Sequence, residues 1–300
     1  MNILIDGNNL LHRAYWISQN NSNKGFNGLC LSIFLKSLRT YIETFRPNKL
    51  YIAWDKKICW PSTNFRKTEL NIEYKGNRDK SNSDDVYSHE EPLERLCKSL
   101  GVCNFYPHKL EADDVISWLT TVMQPNIIVT ADKDMLQLVS GTTSYYHITK
   151  KKLITPENFE EEVGIPLSAY VYYKAILGDP SDNIPGFKGH GKVRSKRLAI
   201  ELDKNDGDVS KLNLSDEYLN IFERNMKICN LDKSWENESY TEVNAYNNQL
   251  QESFELKPNF NKFEELCHEY ELNSILKNIE DWKAIFTFKE KQPNIIDVLV

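Results

Sequence analysis

The sequence predicts an α/β fold, a mostly parallel central sheet with helices on both faces. Short apolar runs of strand length alternate with helical patterns through about residue 150. Acidic residues stand where those strands end or the next helix begins, the edge at which such sheets bind ligands. The 300 residues, 40% of them hydrophobic, suffice for one large domain or one domain with an appendage.

The first strand covers 2–5 and runs into Asp6, and a helical pattern follows near 26–45. A second strand over 49–54 ends at Asp55. A helix near 85–100 leads to a strand over 102–106, then to a helix over 111–123 whose first turn holds Glu111, Asp113 and Asp114. The strand over 126–130 is followed by Asp132 and Asp134, a short helix over 133–139 and a strand over 143–148. Beyond 150, Thr155-Pro156-Glu157 reads as a helix start with Pro in the first position. A further helix covers 167–177, the polar stretches 203–216 and 230–250 read as loops, and no internal repeat is visible. The expected division is a core over 1–150 and a helical region over 151–300.

Charge is distributed unevenly. The last hundred residues hold 11 Lys and Arg against 21 Asp and Glu, whereas the first two hundred hold 26 against 22. Nine of those 22 acids are Asp6, Asp55, Glu111, Asp113, Asp114, Asp132, Asp134, Asp179 and Asp182. At ~5 Å and an effective dielectric of ~20, each like pair costs roughly 3 kcal/mol. A fold that gathers them needs cations, and oxygen-only donors select hard ions such as magnesium or manganese. The surround is basic: residues 56–84 carry Lys56, Lys57, Arg66, Lys67, Lys75, Arg78 and Lys80, interleaved with Trp60, Phe65 and Tyr74. A connection this long inside a compact domain is functional or disordered. An acidic centre in a basic surround suits a protein that holds metals and attracts a polyanion.

Each cluster alone also has a plainer reading. The 111–114 acids complement a helix dipole, and Asp179 and Asp182 sit in a Gly-Pro-Ser-Asn turn. The glycine-rich run 186–191, followed by Lys192, Arg194, Lys196 and Arg197, offers backbone N–H groups to phosphate or is an ordinary turn with a solvated basic face. The six cysteines lack Cys-x-x-Cys spacing, which argues for reduced thiols and against a zinc site. No secretory leader or membrane-span pattern is present, so a cytoplasmic protein is expected.

The ordered set is informative where single clusters are not. Leu4-Ile5-Asp6-Gly7-Asn8-Asn9, Phe65-Arg66 with Glu73-Tyr74-Lys75-Gly76-Asn77-Arg78, Glu111-Ala112-Asp113-Asp114, Thr130-Ala131-Asp132-Lys133-Asp134 and 178–186 occur in that order. Over roughly residues 1–200 the chain strongly resembles the flap endonuclease / 5′–3′ exonuclease family, which includes bacteriophage 5′-nucleases and the 5′-nuclease domain of bacterial DNA polymerase I. The resemblance implies a PIN-like 5′-nuclease core, a helical arch at about 56–95 and a helix–hairpin–helix subdomain at about 176–202. With the chain ending at Val300, it looks like a stand-alone monomer of phage or bacterial cytoplasm.

The resemblance also implies roles. Asp6, Asp55, Glu111, Asp113 and Asp114, with Asp132, match the family's first metal site, and Asp134, Asp179 and Asp182 match the second. Lys75 and Arg78 match catalytic cations at the arch base. Arg66, Tyr74, Lys188, Gly189, Gly191, Lys192, Arg194, Lys196 and Arg197 match DNA contacts, with packing as the alternative for Tyr74. A potassium ion at the hairpin is part of the pattern. His190 stands where the family commonly has an aliphatic residue and Val193 where it has Lys; these departures fall on the cation and phosphate contacts, not on the carboxylates.

The implied reaction is hydrolysis of DNA phosphodiesters in replication or repair at a two-magnesium site, the ions about 4 Å apart, with manganese as a substitute. Nine carboxylates exceed the charge of two divalent ions, so some are expected to bind through water, with Lys75 and Arg78 offsetting the excess. RNA primers, or RNA–DNA hybrids, are left open as substrates. A PIN-like ribonuclease and a non-catalytic DNA-binding module are the alternatives. Finally, Gln292, Ile295, Val298 and Leu299 have the spacing of a sliding-clamp peptide without its aromatic pair, for which a closing strand or packed tail is the competing reading.

Overall fold

The computed structural model describes residues 1–19, 26–55, 66, 73–76, 83–107, 109–232, 240–287 and 294–295. Arg78, most of the basic 56–84 segment, and Gln292, Val298 and Leu299 lie outside the described residues. The strands and helices in chain order are β1 (Asn2–Asp6), α1 (Gly7–Gln19), α2 (Gly28–Phe45), β2 (Lys49–Ala53), α3 (Ser83–Tyr87), α4 (Glu90–Ser99), β3 (Cys103–Phe105), α5 (Ala112–Val122) and β4 (Met123–Gln124). They continue with β5 (Asn126–Thr130), β6 (Thr143–His147), β7 (Lys152–Ile154), α6 (Phe159–Val163), α7 (Tyr170–Leu177), β8 (Gly178–Asp179), β9 (Ile184–Pro185) and α8 (Lys192–Asp203). Last come α9 (Asp216–Cys229), α10 (Tyr240–Glu255), α11 (Phe260–Glu269), α12 (Asn273–Leu276), α13 (Ile279–Ile285) and β10 (Asn294–Ile295).

The main sheet has the order β3-β2-β1-β5-β6-β7. Its neighbours pair in parallel except β7, which pairs antiparallel with β6. From β1 the chain steps outward to β2 and β3, then returns to the other side at β5. The order therefore reverses between β1 and β5, and the crevice beyond their carboxyl ends is where such a sheet binds ligands.

Successive strand residues point to opposite faces, and the two faces bury two cores. Leu4, Tyr51, Ala53, Phe105, Ile128 and Tyr145 pack with α5, α7 and residues of α8 to α10. Ile3, Ile5, Leu50, Ile52, Ile127 and Val129 pack with α1, α2, α4 and the C-terminal α11 to α13. Residues after 150 thus complete both cores. Asn294 and Ile295 pair antiparallel with Gln124 and Met123, the closing-strand reading of that segment. Cys30, Cys97, Cys103, Cys229 and Cys267 are unpaired and buried. Among the described residues, no helix is long and apolar enough to cross a membrane.

Several elements differ from expectation. Helix α1 follows β1 without a loop. Asn8, Asn9, His12 and Arg13 dilute its apolar pattern, yet Leu10, Leu11, Ala14 and Tyr15 are buried on one side. Asp6 Oδ1 accepts from the Asn9 N–H at 2.9 Å and so caps its first turn. The short helix over 133–139 is a 3₁₀ turn, Asp134–Leu138. The helix expected at Thr155 starts at Phe159, because Asn158 Oδ1 takes the Thr155 N–H at 2.7 Å and closes a turn there. The next helix begins at Tyr170 rather than 167. Part of the polar 230–250 stretch is helical, as α10, where Tyr246 and Leu250 are buried against the sheet's helices; two apolar residues per helical face were too sparse a signal.

Gly7 is fixed by space. A Cβ there would lie 2.7 Å from Ile52 Cγ2 and from the Trp54 ring. Gly7→Ala is expected to cost ~1–3 kcal/mol by overpacking, read as a lower urea midpoint; an unchanged midpoint contradicts the close approach.

Candidate active site

The reversal point gathers the first acids through hydrogen bonds rather than mere proximity. Asp6 Oδ2 accepts from the Thr130 hydroxyl at 2.9 Å, which joins β1 to β5. Asn9 Oδ1 accepts from the Ala131 N–H at 3.0 Å, and Asn8 Oδ1 from the Asp55 N–H at 2.8 Å. Asp55 Oδ1 accepts from the Ala112 N–H at 2.7 Å, which fixes the start of α5 and aims Asp113 inward. Asp132 Oδ1 accepts from the Asp134 N–H at 2.8 Å and shapes the turn after β5. A narrow cleft results, lined by Tyr74, Lys75, Glu111, Asp113, Asp132, Asp134 and Asp182 among others.

Three buried cations divide the acids. The Arg66 guanidinium, 1% exposed, binds Asp114 through two bonds of 2.8 Å and donates to the Ile228 carbonyl at 3.0 Å. Such a bidentate pair is strong and directional. Asp114, with no exposed surface, also accepts from the Glu111 N–H at 3.0 Å. Lys75 Nζ donates to Glu111 Oε1 at 2.7 Å and the Tyr74 hydroxyl to Glu111 Oε2 at 2.9 Å. Lys174 Nζ lies 2.6 Å from Asp134 Oδ1 and 3.1 Å from Asp179 Oδ2.

These contacts bear on three expectations. Arg66 is not presented to DNA, because its charge is spent inside on Asp114. Asp114 in turn is turned into that pair and does not line the cleft. Tyr74 is packed, at 7% exposure, rather than offered for stacking.

The Lys75 loop is held in place by backbone. Its N–H donates to the Asp182 carbonyl at 2.9 Å, and Asn183 Nδ2 donates to the Glu73 carbonyl at 3.0 Å. Lys75 has φ +56°, a left-handed conformation that costs a non-glycine residue of order 1 kcal/mol. The same turn therefore sets both a cation and the last acidic pair.

Electrostatics mark which carboxylates remain uncompensated. Burial, with Asp132 and Asp55 adding to it, pushes Asp6 up to about 7 against the hydrogen bond from Asn9. Burial, Asp132 and Asp6 hold Asp113 well above the usual carboxylate range. Asp134 is raised by burial despite Lys174, and keeps 22% of its side chain open, so its desolvation is partial. Burial acts the same way on Glu111, but Lys75 and Arg66 outweigh it and its pKa falls. Asp179 also falls, since Ser181 and Lys174 overcome its burial.

Among the described residues, no three acidic, imidazole or thiol groups close on one point as a ready ligand shell. Repulsion and the internal cations explain the spread. Most of the oxygen donors facing the cleft are carboxylates, those of Glu111, Asp113, Asp132, Asp134 and Asp182, with the Tyr74 hydroxyl and the Cys229 thiol on the same wall, and burial raises the pKa of Asp113 and Asp134. That set fits hard divalent ions bound partly through water.

The expected hairpin lies between α7 and α8. Gly186 allows it, since a Cβ there would lie 2.0 Å from the Leu177 carbonyl oxygen. Gly189 has φ +76° and Gly191 precedes α8. Lys188, Lys192, Arg194 and Arg197 are exposed. Lys196 is corrected: its Nζ donates to the Val163 and Gly164 carbonyls at 2.8 and 3.0 Å and caps α6. Val193, 73% exposed in the first turn of α8, adds no charge where a lysine would.

Sequence reasoning missed Lys174, Asn8, Asn9 and Thr130. Lys174 lies five residues before Asp179, one turn and a half away, in a helix otherwise read as core. Asn8 and Asn9 sat inside a quoted motif but carried no assigned role.

Residues 1–164 match the family described as the 5′-3′ exonuclease, N-terminal resolvase-like domain. The chain is 32% identical over 190 residues to a 5′-3′ exonuclease of Buchnera aphidicola, covering 61% of this chain and 64% of that protein, under two thirds of its length. It is 31% identical over 226 residues to a 5′-3′ exonuclease of Bacillus subtilis, covering 71% and 74%. Its fold is similar to that of a bacteriophage T5 flap endonuclease solved with DNA and metal ions, with TM-score 0.69 and 20% identity over 85% of this chain and 98% of that one.

A pH dependence follows from the raised carboxyls. In the window between the unfolded value of about 4 and the folded value of about 7 for Asp6, the folded state holds a proton that the unfolded chain has released. This contribution is fully present below about 4 and is lost as pH rises through about 7. His89 and His147, shifted down by burial, act with the opposite sign but lie outside the carboxylate set. The rise in Tm on adding magnesium to EDTA-treated protein should therefore grow from pH 5.5 to 8, by about 5 °C at ~2–4 °C per kcal/mol. A rise independent of pH contradicts it.

Proposed function

The chain belongs to the 5′-3′ exonuclease family, and from that premise we propose that it is a structure-selective 5′-nuclease, a 5′–3′ exonuclease and flap endonuclease that hydrolyses DNA phosphodiesters. The observation that carries this reading is the cleft where Asp113, Asp132, Asp134 and Asp182 meet Lys75. Asp6, Asp55, Asp113 and Asp132, with Glu111, would hold one magnesium or manganese ion, and Asp134, Asp179 and Asp182 the other. Bound there, divalent ions supply a more acidic water and charge compensation at the leaving oxygen.

The chain's own residues do the rest. Thr130, Asn8 and Asn9 hold the first carboxylates at the sheet edge. Glu111 keeps Lys75 charged: burial opposes the ammonium, but Glu111 and Tyr74 hold its pKa well above the ordinary value. From the cleft wall that ammonium would offset charge developing on a bound phosphodiester. Lys174 keeps Asp134 and Asp179 from repelling each other before any ion arrives. Lys188, Lys192 and Arg197, with the open N–H groups at the start of α8, grip duplex phosphates. The DNA and metal ions reported with the T5 flap endonuclease support the same substrate class and ion class for this chain. Arg78 is proposed as a second cation over the scissile phosphate. A sliding-clamp contact through the C-terminal residues is not part of this reading, since Ile295 already pairs with Met123.

Cleavage of a 5′-labelled flap should require magnesium and stop in EDTA; cleavage that persists in EDTA, or DNA binding with no cleavage in either, overturns the reading. Lys75→Ala is expected to lower kcat by ~100-fold or more while duplex affinity changes less than about threefold. Equal losses in turnover and affinity contradict its role.

A further inference from the structure

The family pattern places a potassium ion at the hairpin, and a monovalent cation there needs carbonyl oxygens free to face it. In this hairpin each of them already faces a donor of the chain itself, and one of those donors carries a positive charge. The Phe187 carbonyl accepts from the His190 N–H at 3.0 Å, and the Gly191 carbonyl from the Ser195 N–H at 3.0 Å. The Lys188 carbonyl accepts from the Tyr218 hydroxyl at 3.0 Å. The Gly189 carbonyl accepts from Arg194 Nη1 at 3.3 Å, and the His190 carbonyl from the Ser195 hydroxyl at 3.3 Å. Every carbonyl from Phe187 to Gly191 thus serves a donor of the chain itself. One of those donors is a guanidinium, whose fixed charge repels a second cation beside it.

The side chains behind the turn belong to the same device. The Tyr218 ring stacks on Phe187, with centroids 4.5 Å apart and planes 6° apart. His190 meets both rings edge-on, at 5.4 Å from Tyr218 and 5.6 Å from Phe187. An aliphatic residue at 190 would not fill that angle. The stack sets the Tyr218 hydroxyl over the Lys188 carbonyl, so the unusual His190 and the filled carbonyls are one arrangement.

We infer that this hairpin takes no monovalent cation: Tyr218 and Arg194 close it from within, and DNA binding by this chain does not depend on potassium. Tyr218 is a positioning residue, acting through the Lys188 and Gly189 backbone rather than on DNA. The inference rests on the proposed reading of the hairpin as a duplex grip.

Two measurements on the full chain test it. Duplex affinity in EDTA is compared in potassium chloride and in tetramethylammonium chloride at the same ionic strength, the latter cation being too large for a ring of carbonyls. The expected affinities agree within about twofold, and binding more than about fivefold tighter in potassium overturns the inference. Tyr218→Phe, which keeps the ring and removes the donor, should weaken binding at least about threefold in tetramethylammonium, with potassium restoring part of the loss; affinity equal to that of the unaltered chain in both salts overturns the role of the hydroxyl. Without DNA, the Tm of the unaltered chain should be the same in both salts, and a potassium-specific rise overturns the inference. Absence of duplex binding in every salt would sink the nuclease reading instead, and the DNA-free comparison would still decide the hairpin.

Discussion

Repulsion among carboxylates that water only partly reaches is the constraint to which the rest of this molecule answers. The parallel sheet reverses its strand order between β1 and β5, and that crevice brings Asp6, Asp113 and Asp132 near one another. Burial removes the water that would screen them. The fold relieves part of this with three buried cations, Arg66 on Asp114, Lys75 on Glu111, and Lys174 between Asp134 and Asp179. What remains is concentrated on Asp6, Asp113 and Asp134, whose carboxyls are all shifted upward by burial and by their acidic neighbours. That unrelieved charge is what the proposed divalent ions would answer.

The pairing also explains why not all nine acids are equivalent. Asp114 lies at the third position of α5, one helical step from Asp113, and this single step turns it from the cleft toward Arg66. Lys75 and Asp182 are tied through backbone, so the position of this cation and that of the last acidic turn are set together. A left-handed lysine within that unit is strain accepted for position. Beyond the cleft, the hairpin solves a smaller version of the same problem, presenting open N–H groups while its carbonyls are satisfied by Tyr218, Arg194 and Ser195.

Much of this was legible in the sequence, because strand ends are marked by charge following apolar runs. All five parallel strands fell where the apolar pattern placed them, and acids stand at the ends of β1, β2 and β5. Helix α1 was not legible, since its buried stripe is interrupted by Asn8, Asn9, His12 and Arg13, of which Asn8 and Asn9 serve the crevice. The direction in which Arg66 and Lys196 point was not legible either. A basic residue next to a motif looks the same in sequence whether it meets a phosphate, a buried carboxylate or the end of a helix. Lys174 escaped notice because its partners, Asp134 and Asp179, are assembled only by the packing of α7 beside the turn after β5.

Proton counting during metal binding tests the central claim most directly. Magnesium binding to the full chain is followed by calorimetry near pH 6.5 in two buffers that differ in ionisation heat. If buried acids hold protons in place of cations, binding releases protons, and the observed heat changes with the buffer in that direction. Binding with no proton release, or with proton uptake, would contradict the view that unrelieved carboxylate charge is what the ions answer.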